Sequence, residues 1–458
     1  MGKKLAVAIV AIVAIAGLVA VSKILGDMRA AQLEGQGNEQ LEDESVQPAV
    51  EGNAAGKDAA VSETAAIEDA VISETKECPR PPPAAPFQPV AQVTKVADGD
   101  RVSLDVKGVE FPDVFGRLGG DDFDIDPDNP ACFPEVMEHV LDGPSRVNAN
   151  LVGIAPAVFY EQIRPTPKFA PWNNDLSLTD TGYYARLVGA FKAEGFQVMH
   201  TEQVSPGFYG TPEDWAMLDT MKQDPAWWDA WFDEWEKWVV PRAALAEAND
   251  VDVFVLVSWT DSTFRPDIYP DYDTRWRDII AKVREVYSGD VGVILSNTAQ
   301  ESFTFADAVD VVVIGSFSGY QLNLEADGKK VISDRNNPTL AELTEAYEIT
   351  FDQSEGRFPA SLPVYYAIGA VSADGQAGSE DVEVIPTIDP DFEEQALYYE
   401  ALFAALEDET WVDGLIIQRM DWFDQYERSA EVYWDETRSS SPRSKPAESI
   451  MTFWYSVT

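Results

Sequence analysis

The sequence predicts an α/β fold, a (β/α)8 barrel of the TIM type, preceded by an N-terminal membrane anchor and a disordered linker. Three observations predict it. Short runs of β-branched and aliphatic residues alternate with helical periodicity over roughly 350 residues. Eight such runs can be counted from residue 102 onward. Polar and aromatic residues gather just past the far end of several runs, where barrels of this kind carry their chemistry.

The chain begins with Lys3 and Lys4, then an apolar run over residues 5–21 that ends at Ser22 and Lys23. The run is marginal for a bilayer span and long for the core of a signal peptide. Its small-residue pattern, Ala20-Val21-Ser22, is a weak cleavage signal, so residues 1–25 read as a retained signal anchor, with cleavage as the rival. Lysines stay inside and the bulk of the chain outside. The protein is therefore expected to be extracytoplasmic, on the cell envelope or anchored in the membrane through residues 5–21, and secreted if the segment is cleaved. Residues 26–91 form an Ala/Glu/Pro-rich spacer whose stiff end runs from Pro79 to Pro86. The barrel is expected over residues 92–458.

Inside the barrel the first strand is expected at 102–111, followed by a helix at 133–141. The second strand, 148–157, leads through a long loop to a helix at 181–194, and the third strand is 196–204. A helix at 225–249 carries Trp227, Trp228, Trp231, Phe232, Trp235 and Trp238 at helical spacing, a stripe that reads as core and loop bracing. The fourth strand, 251–258, precedes a helix at 273–287. The fifth, 291–296, and the sixth, 309–315, are separated by a turn near Ala306. A helix at 339–351 leads to the seventh strand at 362–372, and a helix at 392–407 to the eighth, from Gly414. A helix at 445–455 closes the pattern.

With 458 residues, 45% of them apolar and 13 of them Trp, the chain has material for one large core. Its 80 Asp and Glu against 33 Lys and Arg give a formal charge of −47. Such a field repels phosphate backbones and argues against nucleic acid as a partner. An acidic surface solvated in a salty medium is the plain reading, and a polycationic partner the sharper one. Only His139 and His200 are histidines, which argues against histidine metal sites and Ser-His-Asp triads. Neither a phosphate-binding glycine loop nor a dinucleotide fingerprint occurs, so no cofactor and no metal are expected. The acidic run 121–128 alternates oxygen ligands but lacks the EF-hand glycine and terminal glutamate. Cys78 and Cys132 are read either as a disulfide or as two thiols.

Five segments together carry a resemblance. They are 227–259 (WWDAWFDEWEKWVVPRAALAEANDVDVFVLVSW), 275–298 (RWRDIIAKVREVYSGDVGVILSNT) and 307–321 (DAVDVVVIGSFSGYQ). The others are 394–422 (EQALYYEALFAALEDETWVDGLIIQRMDW) and Lys445-Pro446-Ala447 with Trp454-Tyr455. In this order, over about 106–455, the chain resembles family 113 glycoside hydrolases, the barrel-type endo-β-mannanases. The resemblance implies a retaining mechanism with two glutamates, an acid/base after the fourth strand and a nucleophile ending the seventh, their carboxyls about 5 Å apart. Matched on the Ile-Gly pair of PVYYAIGAVS (363–372), the nucleophile position falls on Ala367. The acid/base position falls on Trp259, or on Asp261 if the loop shifts by two. An alanine cannot attack, so the usual double displacement is expected to be lost.

Other carboxylates near strand ends are Glu110, Asp113, Glu161, Glu202, Asp261, Glu301 and Asp421. Glu202 with Asp261 is the pair that suits an inverting reaction around a water. Trp422, Tyr320 and Trp259, with Tyr160, Trp172 and Tyr209, offer faces on which sugar rings stack, although packing of loops explains such aromatics too. Asn297, Gln203, Gln418 and Arg419 offer hydrogen bonds to hydroxyls. Three functions follow. The first is a barrel that binds an oligo- or polysaccharide with its hydrolytic chemistry lost. The second is an active hydrolase of mannan-like or envelope glycans using displaced carboxylates. The third is a scaffold in an envelope assembly.

Overall fold

The computed structural model describes residues 104–112, 133–171, 181–205, 212–256, 266–295, 303–316, 325–326, 329–334, 336–375, 388–421 and 438–456. All lie in one compact unit, Glu77–Thr458. The apolar run 5–21, the linker, the acidic run 121–128 and both cysteines are outside the described residues. Among the described residues, no helix is long and apolar enough to cross a membrane.

The elements run β1 (Val106–Pro112), α1 (Phe133–Arg146), β2 (Leu151–Ala155), β3 (Ala157–Gln162) and β4 (Lys168–Pro171). Then come α2 (Thr181–Ala193), β5 (Gln197–Ser205), α3 (Pro212–Met221), α4 (Pro225–Ala248) and β6 (Val253–Leu256). They continue as α5 (Tyr272–Arg284), β7 (Asp290–Leu295), β8 (Val311–Ser316), a small hairpin of β9 (Glu325–Ala326) and β10 (Lys329–Lys330), and α6 (Leu340–Asp352). The last four are β11 (Val364–Ile368), α7 (Phe392–Leu406), β12 (Gly414–Gln418) and α8 (Pro446–Tyr455).

Eight strands pair in parallel, in the order β1, β2, β5, β6, β7, β8, β11, β12, and β12 returns to β1. The ring is closed, which leaves its strands without free edges. Alternation along each strand sorts side chains into two layers. One buried cluster includes Val106, Leu151, Met199, Val255, Ile294, Val313, Ala367 and Ile416. Every ring strand contributes to it and no helix does, so it is the barrel interior. Glycine is required where this interior is tightest. A Cβ on Gly108 would stand 2.9 Å from Ile416 Cγ1, and one on Gly414 would stand 2.7 Å from Val106 Cβ. The opposite faces, with Val109, Val198, Phe254, Val312 and Leu415, join the larger cluster built with the helices.

α8 locks the seam of the ring. The Tyr455 hydroxyl lies 3.0 Å from the carbonyl oxygens of Gly108 on β1 and Leu415 on β12. Lys107 donates to the Tyr455 carbonyl at 3.1 Å. The tryptophan stripe of α4 is core, as its spacing predicts: Trp227, Trp228, Trp231 and Trp235 are buried. Its capping is local, with Asp224 accepting the Ala226 N–H and Pro225 in the first turn.

Beyond α3 and the β9–β10 hairpin, which the sequence does not predict, two features differ from the sequence expectation. The long loop after β2 contains the hairpin β3–β4, with β3 also running parallel beside β5. Phe169 of β4 meets Trp231 and Trp235 edge-on at 5.9 and 5.8 Å, and Trp227 donates to the Ile163 carbonyl at 2.8 Å. The stripe thus braces this hairpin. Second, α1 runs to Arg146, past Pro144, rather than ending near 141.

Candidate functional site

The ring's C-terminal mouth is prepared by the inward-facing residues that follow the apolar interior. On β1 the inward series Val106, Gly108 continues to Glu110; on β5 Met199 continues to Thr201; on β12 Ile416 continues to Gln418. These three polar residues are each at most 3% exposed. Gln418 Nε2 donates to Glu110 Oε1 at 3.1 Å. Gly153, paired with Glu110 across β1 and β2, makes room for the carboxyl: a Cβ there would lie 3.1 Å from Glu110 Cγ. Burial raises the Glu110 carboxyl to about 7, against a smaller lowering by Gln418 and by the nearby Thr201 hydroxyl. Thr201 stands close without completing a hydrogen bond. Among the described residues, Glu110 Oε2, Thr201 Oγ1 and Gln418 Oε1 find no hydrogen-bond partner.

Glu202 faces the other way. As the neighbour of Thr201 on β5, it points into the layer between the barrel and α4. Its Oε1 accepts from Arg242 Nε at 2.8 Å and from His200 Nε2 at 2.8 Å, and its Oε2 from Trp238 Nε1 at 3.1 Å. Burial favours the neutral acid, but Arg242 and His200 outweigh it and bring the carboxyl down to about 2. His200 is held neutral chiefly by its own burial, against the pull of Glu202. An ionised Glu202 requires a proton on His200 Nε2, so Nδ1 accepts from the Tyr184 hydroxyl 2.8 Å away. This carboxylate neither reaches the mouth nor exchanges a proton near neutrality. Residue parity on β5 aims Glu202 into the layer between the barrel and α4 rather than toward the mouth.

The ends of β11 and β12 are held by a buried segment around 438–445. Arg419 donates to Asp421 Oδ1 at 2.8 Å, while Asp421 Oδ2 accepts from Ser439 Oγ at 3.0 Å. Lys445 Nζ donates to Ser372 Oγ at 3.0 Å and to the Ser439 carbonyl at 2.9 Å. Gln395 of α7 donates to the Ala370 carbonyl at 2.7 Å. Arg419 is thus an ion-paired residue beside the mouth, and Asp421 is occupied by structure. Ala367 is fully buried inside the ring, between Gly315 of β8 and Ile416 of β12 in register. Its methyl sits where an inward-facing side chain of β11 belongs.

Asp261, Trp259, Trp422, Tyr320 and Asn297 lie outside the described residues, as does the side chain of Gln203. Asp113, Glu301, Trp172 and Tyr209 do too. Glu161 is exposed on the β3–β4 hairpin. Tyr160 accepts from Trp231 Nε1 at 2.9 Å, which makes it a brace of that hairpin. Of the predicted site residues, the described structure brings Gln418 and Arg419 to the mouth and turns Glu202 from it. In the sequence Glu110 is one of several candidate carboxylates near strand ends. The signal that marks it is its place in the inward alternation of β1, together with Gly153 opposite.

For a metal, the described residues offer Asp374, Asp391 and Glu394, whose ligand atoms lie within 4.8 Å of one another. Glu394 accepts the Gly375 N–H at 2.8 Å and Asp391 caps α7 by accepting the Glu394 N–H at 2.8 Å. This cluster joins a turn to a helix start.

A sequence model described as Glycoside Hydrolase Family 113 matches residues 152–437, well over half of the chain. No curated protein matches it in sequence. Among solved structures, a "Complex structure of GH113 beta-1,4-mannanase" superposes with a TM-score of 0.55 at 19% identity, covering 77% of this chain and 99% of that one. The GH113 β-mannanase AaManA from Alicyclobacillus acidocaldarius, in complex with ManMIm, gives 0.53 at 20% identity, covering 78% and 98%. A further GH113 β-1,4-mannanase structure gives 0.53 at 17%, covering 78% and 100%. At these identities the structural likeness is one of fold.

Proposed function

Since the chain belongs to glycoside hydrolase family 113, we propose that it is an exported barrel that binds a carbohydrate, with the family's two-glutamate retaining chemistry lost. The observation that carries this reading is Ala367. A nucleophile must project from the end of β11, and the inward position there holds a methyl group packed within an apolar interior. Glu202, a carboxylate offered by the sequence to compensate, is ion-paired with Arg242. The glycan to test first is a β-1,4-linked mannan, because β-1,4-mannanases share the family and the fold. Trp422, Tyr320 and Trp259 are proposed to stack on its rings, and Asn297, Gln203, Gln418 and Arg419 to meet its hydroxyls. The apolar run 5–21 supports retention at the membrane, with the linker holding the barrel away from it.

The full chain, incubated with mannan, glucan and envelope glycans, tests the proposal when reducing ends and affinity are followed together. Binding without turnover, lost on Trp422→Ala, is the expected result. Turnover overturns the loss of chemistry, and the absence of any binding overturns the carbohydrate reading in favour of a scaffold.

A second reading, an active hydrolase with displaced carboxylates, is favoured by one observation. Glu110 is a buried, inward-facing carboxyl brought to about 7, the range suited to a general acid at neutral pH. Asp261 is its proposed partner. Turnover abolished by both Glu110→Gln and Asp261→Asn is the result this reading requires.

A further inference from the structure

Three buried polar side chains from three strands face the barrel interior just above its apolar filling: Glu110 from β1, Thr201 from β5 and Gln418 from β12. Buried polar groups in folded proteins are normally paired. Among the described residues one hydrogen bond, from Gln418 to Glu110, is made, and an oxygen on each of the three residues is left over. The glycine opposite Glu110 leaves no side chain there to shield it. Barrels of this type place their ligands over this end of the strands.

We propose that Glu110, Thr201 and Gln418 form the floor of the carbohydrate cleft and make hydrogen bonds to the hydroxyls of an uncharged sugar ring. This rests on the carbohydrate reading above and names the class of sugar and the residues that choose it. The charge argument is direct. Among the described residues, those facing Glu110 are Gly153 and Gln418 from the strands that flank β1 and Thr201 from β5; none is charged. The charged residues that follow on the β12 side, Arg419 and Asp421, are paired with each other. Among the described residues of this floor, a uronic acid would therefore bring a carboxylate to oxygen acceptors with no cation to meet it. An amino sugar would have to ionise a carboxyl that burial keeps neutral up to about pH 7. A neutral hydroxyl ring meets a neutral carboxyl, which both donates through its O–H and accepts through its other oxygen.

Regulation by pH follows from the same geometry. A ring seated on the floor excludes water from Glu110 and favours its neutral form further. Binding is then linked to proton uptake, and affinity declines, by up to about tenfold per pH unit, once Glu110 ionises in the free protein. Glutamine in its place keeps a donor and an acceptor but cannot ionise.

The test uses the full chain and isothermal titration with mannohexaose, a glucosamine hexamer and a galacturonate hexamer, from about pH 5 to about pH 9. The expected result is binding of mannohexaose only, with affinity falling above neutrality and protons taken up. Glu110→Gln should bind mannohexaose several-fold more weakly than the parent at low pH, because it changes a floor residue, and show a flat profile across the pH range. Thr201→Val, which removes one floor hydroxyl and keeps the carboxyl, should bind several-fold more weakly with the pH profile retained. Mannohexaose binding that is flat with pH in the parent, or that stays pH-dependent in Glu110→Gln, overturns the floor and leaves the carbohydrate reading standing. Tighter binding of either charged hexamer overturns the choice of a neutral ring. No binding of any probe overturns both proposals.

Discussion

Glu202 and Arg242 meet at 2.8 Å in the layer between the barrel and α4, turned away from the mouth. The pair is buried, and Trp238 and His200 complete its hydrogen bonds. Removing one partner leaves an uncompensated buried charge, which costs about 3–5 kcal/mol in comparable pairs. Glu202→Gln is therefore expected to lower the denaturant midpoint sharply while leaving glycan affinity of the folded fraction unchanged. The pH dependence has a definite sign. A carboxyl near 4.5 when unfolded and about 2 when folded adds stability that is complete above the unfolded value and lost as pH falls from 4.5 to 2. A loss of glycan binding by a stably folded Glu202→Gln would return this residue to the cleft.

Glu110 has the opposite sign. Its carboxyl ionises near 4.5 in the unfolded chain and near 7 in the folded one, so the unfolded state holds fewer protons between these values. Stability of the parent should fall as pH rises from about 4.5 to about 7, by on the order of 3 kcal/mol, and level off above. Glu110→Gln lacks this slope. Its stability relative to the parent should improve across that window, as read from urea midpoints at fixed pH steps. A difference that is constant with pH counts against burial of an ionisable group at this position.

Trp231 joins α4 to the β3–β4 hairpin. Its ring is buried against Trp235, Phe169 and Trp276, and its N–H reaches the Tyr160 hydroxyl at 2.9 Å. Trp231→Ala empties a large volume and strands that hydroxyl, at a cost of about 3–5 kcal/mol. Trp231→Phe keeps most of the volume and should cost clearly less. Equal losses for the two substitutions would mean that the hydrogen bond, rather than packing, holds the hairpin.

How far the sequence carries depends on which residues speak locally. Thr339 and Glu342 form a capping box whose two hydrogen bonds both exist, so the start of α6 was readable to within one residue. The apolar runs of β6, β7 and β8 announced buried parallel strands, and the tryptophan spacing announced the buried face of α4. The hairpin β3–β4 did not announce itself, because its register depends on β5 alongside and on Phe169 finding two tryptophans far along the chain. The site was less legible still. Glu202 and Glu110 are both strand glutamates in an acidic chain, and which faces the cleft is decided by a parity that only the closed ring fixes. Lys445 and the serines at 439–441, polar residues that carry no local sign of burial, are buried beneath the ends of β11 and β12. Their partners are mostly backbone carbonyls and hydroxyls, which leave no pattern to read.

The formal charge of −47 sets a last expectation. Many acidic groups of the described surface have a cation nearby, such as Asp307 with Arg277 and Glu236 with Lys282, but acids outnumber bases by more than two to one in the chain. The unpaired excess repels itself in the compact state more than in the expanded one. Added salt shortens the Debye length from about 30 Å at 0.01 M to about 3 Å at 1 M, and so relieves the folded state preferentially. The melting temperature should rise with NaCl, most steeply below about 0.2 M, where the screening length changes fastest. Sodium sulfate matched for ionic strength separates screening from exclusion of salt at the surface, because screening predicts the same rise for both salts in that low range. A melting temperature that stays flat in NaCl and rises only in sulfate would show that exclusion, not relief of the acidic surface, governs the salt response.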